Sequence, residues 1–297
     1  MRKDNLKVHI PKEIKKDILT IVNEFKNNGF ECFLVGGSVR DLLLGNEVYD
    51  YDFATNALPN QVTEIFSNVI PTGIKHGTVS IKINDNLYEI TTYRADGKYI
   101  DGRRPETISF SKSLEEDVAR RDFTINGMAY DPVLEELHDL IGGLTDLHKK
   151  IIRTIGNPFD RFNEDGLRPF RACRFASKLN FEIDSLTFEA ISKTHDVAKL
   201  VSIERIRDEF MKILESDIPS IGIENLRKSG LLKLFLPELS DCYGIDQNKY
   251  HVFDIYNHSL RACDAASKED VMIRLAALLH DIGKLPTRKL LQGDYTF

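Results

Sequence analysis

The chain has 297 residues, 42% of them hydrophobic and 29% charged, and a formal net charge of −6. That length exceeds one small core and predicts two or three domains. The charge leaves no global basic field, so a nucleic-acid contact has to use a local stripe. No apolar leader follows Met1-Arg2-Lys3-Asp4-Asn5, and no apolar run is long enough to span a bilayer, so neither secretion nor membrane insertion is expected.

Residues 11–29 read as an amphipathic helix. Pro11 suits its first turn, Ile14, Ile18, Ile21, Val22 and Phe25 form one stripe, and Gly29 suits its end. The apolar run Phe33-Leu34-Val35 reads as a strand, Gly36-Gly37 as a tight turn, and Ser38 to Leu44 as a helix stopped by Gly45. Strand, glycine turn and helix start make a phosphate cradle, to which Arg40 adds charge.

Tyr49-Asp50-Tyr51-Asp52-Phe53 follows. Read as a half-buried strand, it puts Asp50 and Asp52 on one face and leaves Tyr49, Tyr51 and Phe53 to be buried. Neighbouring carboxylates repel unless a hard cation lies between them, and Mg²⁺ is the usual cation for carboxylate plus phosphate oxygen. A lone Gly-Gly is ordinarily just a turn, and a lone Asp-x-Asp ordinarily a solvated loop. The conjunction of cradle and acids is far more specific and points to nucleotidyl transfer.

Ala57 to Phe66 reads as helix, and Thr78 to Ile83 and Leu87 to Tyr93 as a hairpin around Asn84-Asp85-Asn86. Glu89 falls mid-strand, where a third carboxylate would help to hold two metals and accept a hydroxyl proton. The bland alternative is a solvent-facing Glu on an edge strand. Arg94 to Pro105 is polar and glycine-rich, hence a loop. Ser113-Leu114-Glu115-Glu116 resembles a capping box. In Arg120-Arg121-Asp122-Phe123-Thr124-Ile125-Asn126, a guanidinium suits phosphate and a carboxylate suits ribose hydroxyls; standing alone, the segment would read as a salt-bridged helix end.

After Ile155 the pattern turns helical, at 164–179, 185–199, 203–215, 219–229, 254–267 and 271–280. Arg168, Arg171 and Arg174 recur every third residue and line one helical face, while Leu167, Phe170 and Cys173 turn toward a core. Alone this is a solvated basic stripe. Asp165 and Arg168, however, offer an acceptor and a donor three residues apart. Such a pair accepts cytosine and adenine and rejects uracil and guanine, which would leave polar groups unpaired. The four cysteines, Cys32, Cys173, Cys242 and Cys263, form no CxxC pair, which fits reduced thiols in the cytoplasm better than disulfides or zinc.

Gly36-Gly37-Ser38-Val39-Arg40-Asp41, the Asp50/Asp52 pair, Arg120 to Asn126, and Glu164-Asp165 with Arg168, Arg171, Arg174 and Phe175 together resemble class II tRNA nucleotidyltransferases. These are the CCA-adding enzymes, grouped with bacterial poly(A) polymerases in the DNA polymerase β superfamily. The resemblance covers roughly residues 20 to 235. It implies an α+β chain: a nucleotidyltransferase head of mixed sheet and helices over 1–150, a helical neck selecting the base over 151–235, and a helical body segment over 236–297. It further implies Mg²⁺ on Asp50 and Asp52; the mid-strand position of Glu89, read separately above, adds a third catalytic acid and so two ions. Gly36, Gly37, Arg40, Arg121, Asp165, Arg168, Arg171 and Arg174 would contact the nucleotide, and Asp122 its ribose. CTP and ATP would be substrates, and the 3′ end of tRNA the partner. Asp101-Gly102-Arg103 matches the family's flexible loop, which argues against a CC-only enzyme. Two departures stand out: Gly127 replaces a usual alanine, and Pro169 falls inside the base-reading helix, which it should kink or start.

His258 with His280-Asp281 resembles the HD phosphohydrolase motif and marks a second metal site. Such sites need a further downstream acid, and only Asp294 remains, so the C-terminal segment is expected to be truncated or its site incomplete. The rival readings are an A-adding-only enzyme, a poly(A) polymerase, and an HD-type phosphohydrolase.

Overall fold

The computed structural model describes residues 2–5, 8–95, 109–291 and 294–297, with side chains from residue 8 onward. The described residues divide into two units. One runs to Lys149 and includes Arg153–Asn157; the other comprises Lys150–Ile152 and Pro158–Phe297.

The first unit contains, in chain order, β1 (Arg2–Asn5), α1 (Lys12–Asn27), β2 (Cys32–Val35), α2 (Gly37–Leu43), β3 (Asp52–Thr55), α3 (Pro59–Ile65), β4 (Val69–Gly73), β5 (Thr78–Ile83), β6 (Asn86–Thr92), β7 (Arg94–Ala95), β8 (Ser109–Phe110), α4 (Leu114–Ala119), β9 (Met128–Asp131), β10 (Glu136–Asp139) and α5 (Gly143–Lys149). Eight strands form one sheet in the order β1-β10-β9-β2-β3-β6-β5-β4. Its pairs are antiparallel except β3 with β6, which run parallel.

The apolar stripe of α1 is realised: Ile18, Ile21, Val22 and Phe25 are fully buried. Gly29 then takes φ +81°, a conformation only glycine adopts at no steric cost. Asp17 lies on the same face, also buried. It accepts hydrogen bonds from Asn84 Nδ2 (2.8 Å), Asn86 Nδ2 (3.2 Å) and the Tyr88 hydroxyl (2.9 Å), which satisfies a carboxylate that would otherwise be costly to bury. The hairpin it grips closes through Asn84-Asp85, since Ile83 pairs with Asn86 and Asn84 takes φ +51°. A second apolar cluster, Phe33, Val35, Ala54, Tyr93, Leu114, Val118 and Ala129, joins β2, β3 and β9 to α4. Ser113 caps α4, its hydroxyl oxygen accepting the Glu116 N–H. Of the loop expected from Arg94 to Pro105, Arg94–Ala95 is strand, and residues 96–105, including Asp101, Gly102 and Arg103, lie outside the described residues.

The second unit is mostly helical: β11 (Ile151–Ile152), α6 (Pro158–Glu164), α7 (Arg168–Leu179), β12 (Glu182–Ile183), α8 (Ser185–Lys193), α9 (His195–Ala198), α10 (Ile203–Leu214), α11 (Pro219–Lys228), α12 (Leu232–Phe235), α13 (Pro237–Ser240), α14 (Ile255–Ala265), α15 (Val271–Leu279), α16 (Lys284–Thr287), β13 (Lys289–Leu291) and β14 (Asp294–Thr296). The helix expected over 164–179 is interrupted between Glu164 and Arg168. A side chain at Gly166 would collide with the Val197 carbonyl, and Pro169, which lacks an N–H, sits in the opening turn of α7. Pro169 therefore starts the helix. All four cysteines are buried, and no helix among the described residues is long and apolar enough to cross a membrane.

Candidate active site

The strand order puts β6 beside β3 in parallel, and that register makes Asp52 and Glu89 direct partners. The Asp52 carboxyl is pushed up to about 6, first by its own burial, then by the charge of Glu89, with Asp50 adding to the effect and Arg121 opposing it. Glu89 is exposed in mid-β6, between buried Tyr88 and Ile90, and β6 has neighbours on both sides, so the edge-strand alternative does not hold.

Two expectations need correction. Asp50 precedes β3 rather than lying within it, and it is exposed. Tyr49 is 84% exposed, so burial begins only at Tyr51 and Phe53, at 4% and 0%. The chain approaching β3 has no neighbouring strand to cover Tyr49, whose hydroxyl donates instead to Glu47 Oε2. What stands is Asp52 with the charges of Glu89 and Asp50 near enough to raise its carboxyl. Such an all-oxygen donor set suits Mg²⁺.

The glycine turn lies at the end of β2. Gly36 takes φ +72°, and a side chain there would come within 3.2 Å of Arg121 Nη1; one at Gly37 would come within 3.4 Å of Arg40 Nη2. Two arginines thus pack on this turn, and the positive φ of Gly36 is what calls for glycine there. Arg40 is buried rather than projecting: its Nε and Nη2 donate to the Asp41 carboxylate at 2.9 and 2.8 Å, and its Nη1 to Asn126 Oδ1 at 2.5 Å. Asn126 Nδ2 in turn donates to Asp122 Oδ1 at 3.0 Å, an oxygen that also accepts the Phe123 N–H. Asp117, fully buried on α4, receives both Arg120 and Arg121.

The second unit carries the remaining predicted residues. Asp165 is in the turn before α7, where its Oδ1 accepts the Leu167 N–H and faces Arg205 Nη2 at 3.5 Å. Arg168 is buried, and its Nη1 donates to the Arg161 carbonyl at 2.9 Å and to Glu164 Oε2 at 2.7 Å. Asp165 and Arg168 are therefore not on one helix, as their spacing had suggested. Arg171 and Arg174 do share a face of α7, but not as a solvated stripe: both turn to buried Glu209 on α10, with Arg174 Nε 2.5 Å from Oε2 and Arg171 Nη1 4.0 Å from Oε1. Both guanidinium groups also lie over the Phe175 ring, at 4.1 Å for Arg174 and 5.4 Å for Arg171.

His258, His280 and Asp281 are brought together, one ligand atom from each lying within 4.8 Å of the others. Asp281 Oδ2 stands 3.6 Å from His258 Nε2, 3.1 Å from His280 Nε2 and 2.7 Å from the Lys284 ammonium. Burial, outweighing the attraction of Asp281, holds the His258 imidazole below its ordinary range. Asp294 is not part of this group; its Oδ1 accepts the Lys249 N–H.

Residue spacing missed Asp117 and Glu209, and it placed Asn126 and Glu164 in motifs without giving them a partner. Asp117 stands three and four residues before Arg120 and Arg121, and Glu164 four before Arg168, so helical pair rules would have found both. Asn126 and Glu209 reach their partners across 86 and at most 38 positions of chain, and no local rule marks them.

The family described as the poly A polymerase head domain matches residues 32–153, and the one described as a probable RNA and SrmB-binding site of polymerase A matches residues 180–243. The CCA-adding enzyme of Ligilactobacillus salivarius is 44% identical over 235 residues, 79% of this chain and 57% of that one. That of Enterococcus faecalis is 45% identical over 205 residues, 69% of this chain and 50% of its own. This chain thus spans between half and three-fifths of the length of these curated relatives. The Bacillus stearothermophilus CCA-adding enzyme in complex with CTP superposes at TM-score 0.75 with 33% identity, covering 92% of this chain and 64% of that chain. A tRNA-processing enzyme with CTP superposes at TM-score 0.65 with 30% identity, over 89% of this chain and 72% of the other.

Proposed function

This chain belongs to the family of CCA-adding enzymes and poly(A) polymerases that share this head domain, and from that premise we propose that it transfers CMP and then AMP from CTP and ATP to the 3′ end of tRNA, in the cytoplasm, releasing pyrophosphate. The observation that carries the reading is the placement of Asp52 directly against Glu89, with Asp50 and Arg121 close enough to move its titration. Three acids crowded at one end of β3 are unfavourable on their own and useful around a divalent cation.

Asp50 and Asp52 would hold Mg²⁺, which supplies positive charge for the reacting phosphate and a lowered pKa for the attacking hydroxyl. Glu89 takes the hydroxyl's proton. The open turn at Gly36-Gly37 admits the triphosphate, Arg40 and Arg121 offset its charge, and Asp122 receives a ribose hydroxyl. Asp165, Arg168, Arg171 and Arg174 serve the base and its nucleotide. The pairing of Arg171 and Arg174 with Glu209, and of Arg168 with Glu164, supports this, because held guanidinium groups lose less entropy on binding than mobile ones. The test supplies labelled CTP or ATP with tRNA lacking CCA, tRNA ending in CC, and an unstructured RNA. Incorporation of both nucleotides into the first tRNA is expected. Incorporation of ATP alone, and only into tRNA ending in CC, would establish the A-adding enzyme; AMP tails on unstructured RNA would establish the poly(A) polymerase.

The juxtaposition of His258, His280 and Asp281 favours one further reading, a divalent-metal phosphohydrolase centre in the second unit. Hydrolysis of a phosphomonoester or cyclic phosphate by the Asp52→Asn variant, lost on His280→Ala, would support it.

A further inference from the structure

We propose that Asp117 is the positioning residue that aims Arg121 at the Gly36-Gly37 turn, and through it at the phosphates of the incoming nucleotide. The inference rests on the nucleotide-transfer reading and deepens it.

Asp117 is fully buried. Its Oδ2 accepts Arg121 Nε at 3.2 Å and Nη2 at 2.9 Å, and its Oδ1 accepts Arg120 Nε at 3.0 Å and Nη2 at 2.6 Å. The backbone N–H of Arg94 also donates to Oδ1, at 3.2 Å. Burial alone would raise this carboxyl, but the two guanidinium groups hold it below the ordinary carboxylate range, so it stays charged.

A guanidinium is planar, and fixing one edge fixes the whole group. With Nε and Nη2 of Arg121 committed to Asp117, the opposite atom, Nη1, is the one that stands 3.2 Å from the side-chain position of Gly36. No side chain intervenes, because that position is glycine at φ +72°. Asp117 meets two cations with one charge, so the group remains net positive where an anion is to bind.

The test measures CTP binding to purified protein without tRNA, together with KM and kcat. Asp117→Asn keeps the shape and removes the charge; it should weaken CTP binding about tenfold and raise KM by a similar factor, with kcat changed less. Arg121→Lys should weaken binding alone, and adding Asp117→Asn to it should cause little further loss in CTP affinity. A merely structural Asp117 would lower thermal stability equally in both backgrounds and leave CTP affinity of the folded protein unchanged, and that result overturns the inference. Should Asp117→Asn fail to fold, Asp117→Glu keeps the charge but shifts the guanidinium by a methylene, and wild-type CTP affinity in that variant would overturn it equally. Wild-type protein that binds neither CTP nor ATP would instead refute the nucleotide-transfer reading itself.

Discussion

Asp52 and Glu89 face each other across the parallel junction of β3 and β6. Two acids so placed make the protein's stability depend on pH and on divalent cations. The Asp52 carboxyl titrates near 6 when folded, against about 4 when unfolded. The stability linked to its protonation is full below about pH 4 and lost as pH rises through 6. Metal-free protein should therefore lose about 1–2 kcal/mol between those limits, after allowance for partial exposure. Mg²⁺ should restore it, and Asp52→Asn should flatten both responses. Urea titrations at a series of pH values, with EDTA or MgCl₂, measure this; an unaltered slope in the variant would reject the crowded-acid interpretation.

Catalysis should follow the same residues. Asp50→Ala or Asp52→Ala should abolish nucleotide incorporation and leave circular dichroism unchanged, since neither side chain is fully buried. Glu89→Gln should retain nucleotide binding and lose rate by about 10²-fold, the scale of a missing general base. Full activity in Asp52→Ala would end the assignment of these acids to the metal.

Arg168 should be both a reader and a strut. Arg168→Ala is expected to relax the choice of CTP and ATP over UTP and GTP in a four-nucleotide competition. Because its guanidinium bonds Glu164 and the Arg161 carbonyl, removal also leaves that buried carbonyl short of a donor, at about 1–3 kcal/mol by thermal melting, whereas Glu164 keeps Arg161. Relaxed choice without lost stability, or the converse, would separate the two roles.

Two glycines should differ sharply. A side chain at Gly143 would strike the backbone carbonyl of Thr124, which cannot turn away, whereas one at Gly127 would meet the end of the Ile141 side chain, which can. Gly143→Ala should cost roughly 2–3 kcal/mol and Gly127→Ala under about 1 kcal/mol in denaturant unfolding. Equal costs would contradict this packing. The departure at Gly127 is thus a matter of fit to Ile141.

Cys242 and Cys263 are pushed by burial to about 11 and about 12, and Cys32 and Cys173 rise as well. All four thiols should react with a disulfide reagent only on unfolding. One thiol titrating rapidly in native buffer would disprove this.

The sequence made the local devices legible and the long-range ones not. Gly36, the Asn84-Asp85 turn and the α1 stripe are dictated within a few residues, and each is found where the pattern puts it. β1, β4, β9 and β10 were missed, because strands of only four or five residues are too short to show a periodicity of their own. Asp17 defied the polar-out rule because three donors wait for it 67 to 71 positions away. Alternation alone put Asp50 and Tyr49 inside a strand whose pairing starts at Asp52. The three-residue spacing of the arginines correctly set Arg171 and Arg174 on one face, but Glu209, which faces both, comes from another helix.

The doubly shared carboxylate of Asp117 also governs how the site responds to ionic strength. Arg120 and Arg121 come with a counter-ion already tethered to the chain. A polyphosphate arriving there displaces fewer dissolved anions than it would from two bare cations, and leaves behind a less hungry surface when it departs. Salt should therefore tax nucleotide affinity only mildly, a tolerance set by one acid rather than by the arginines themselves.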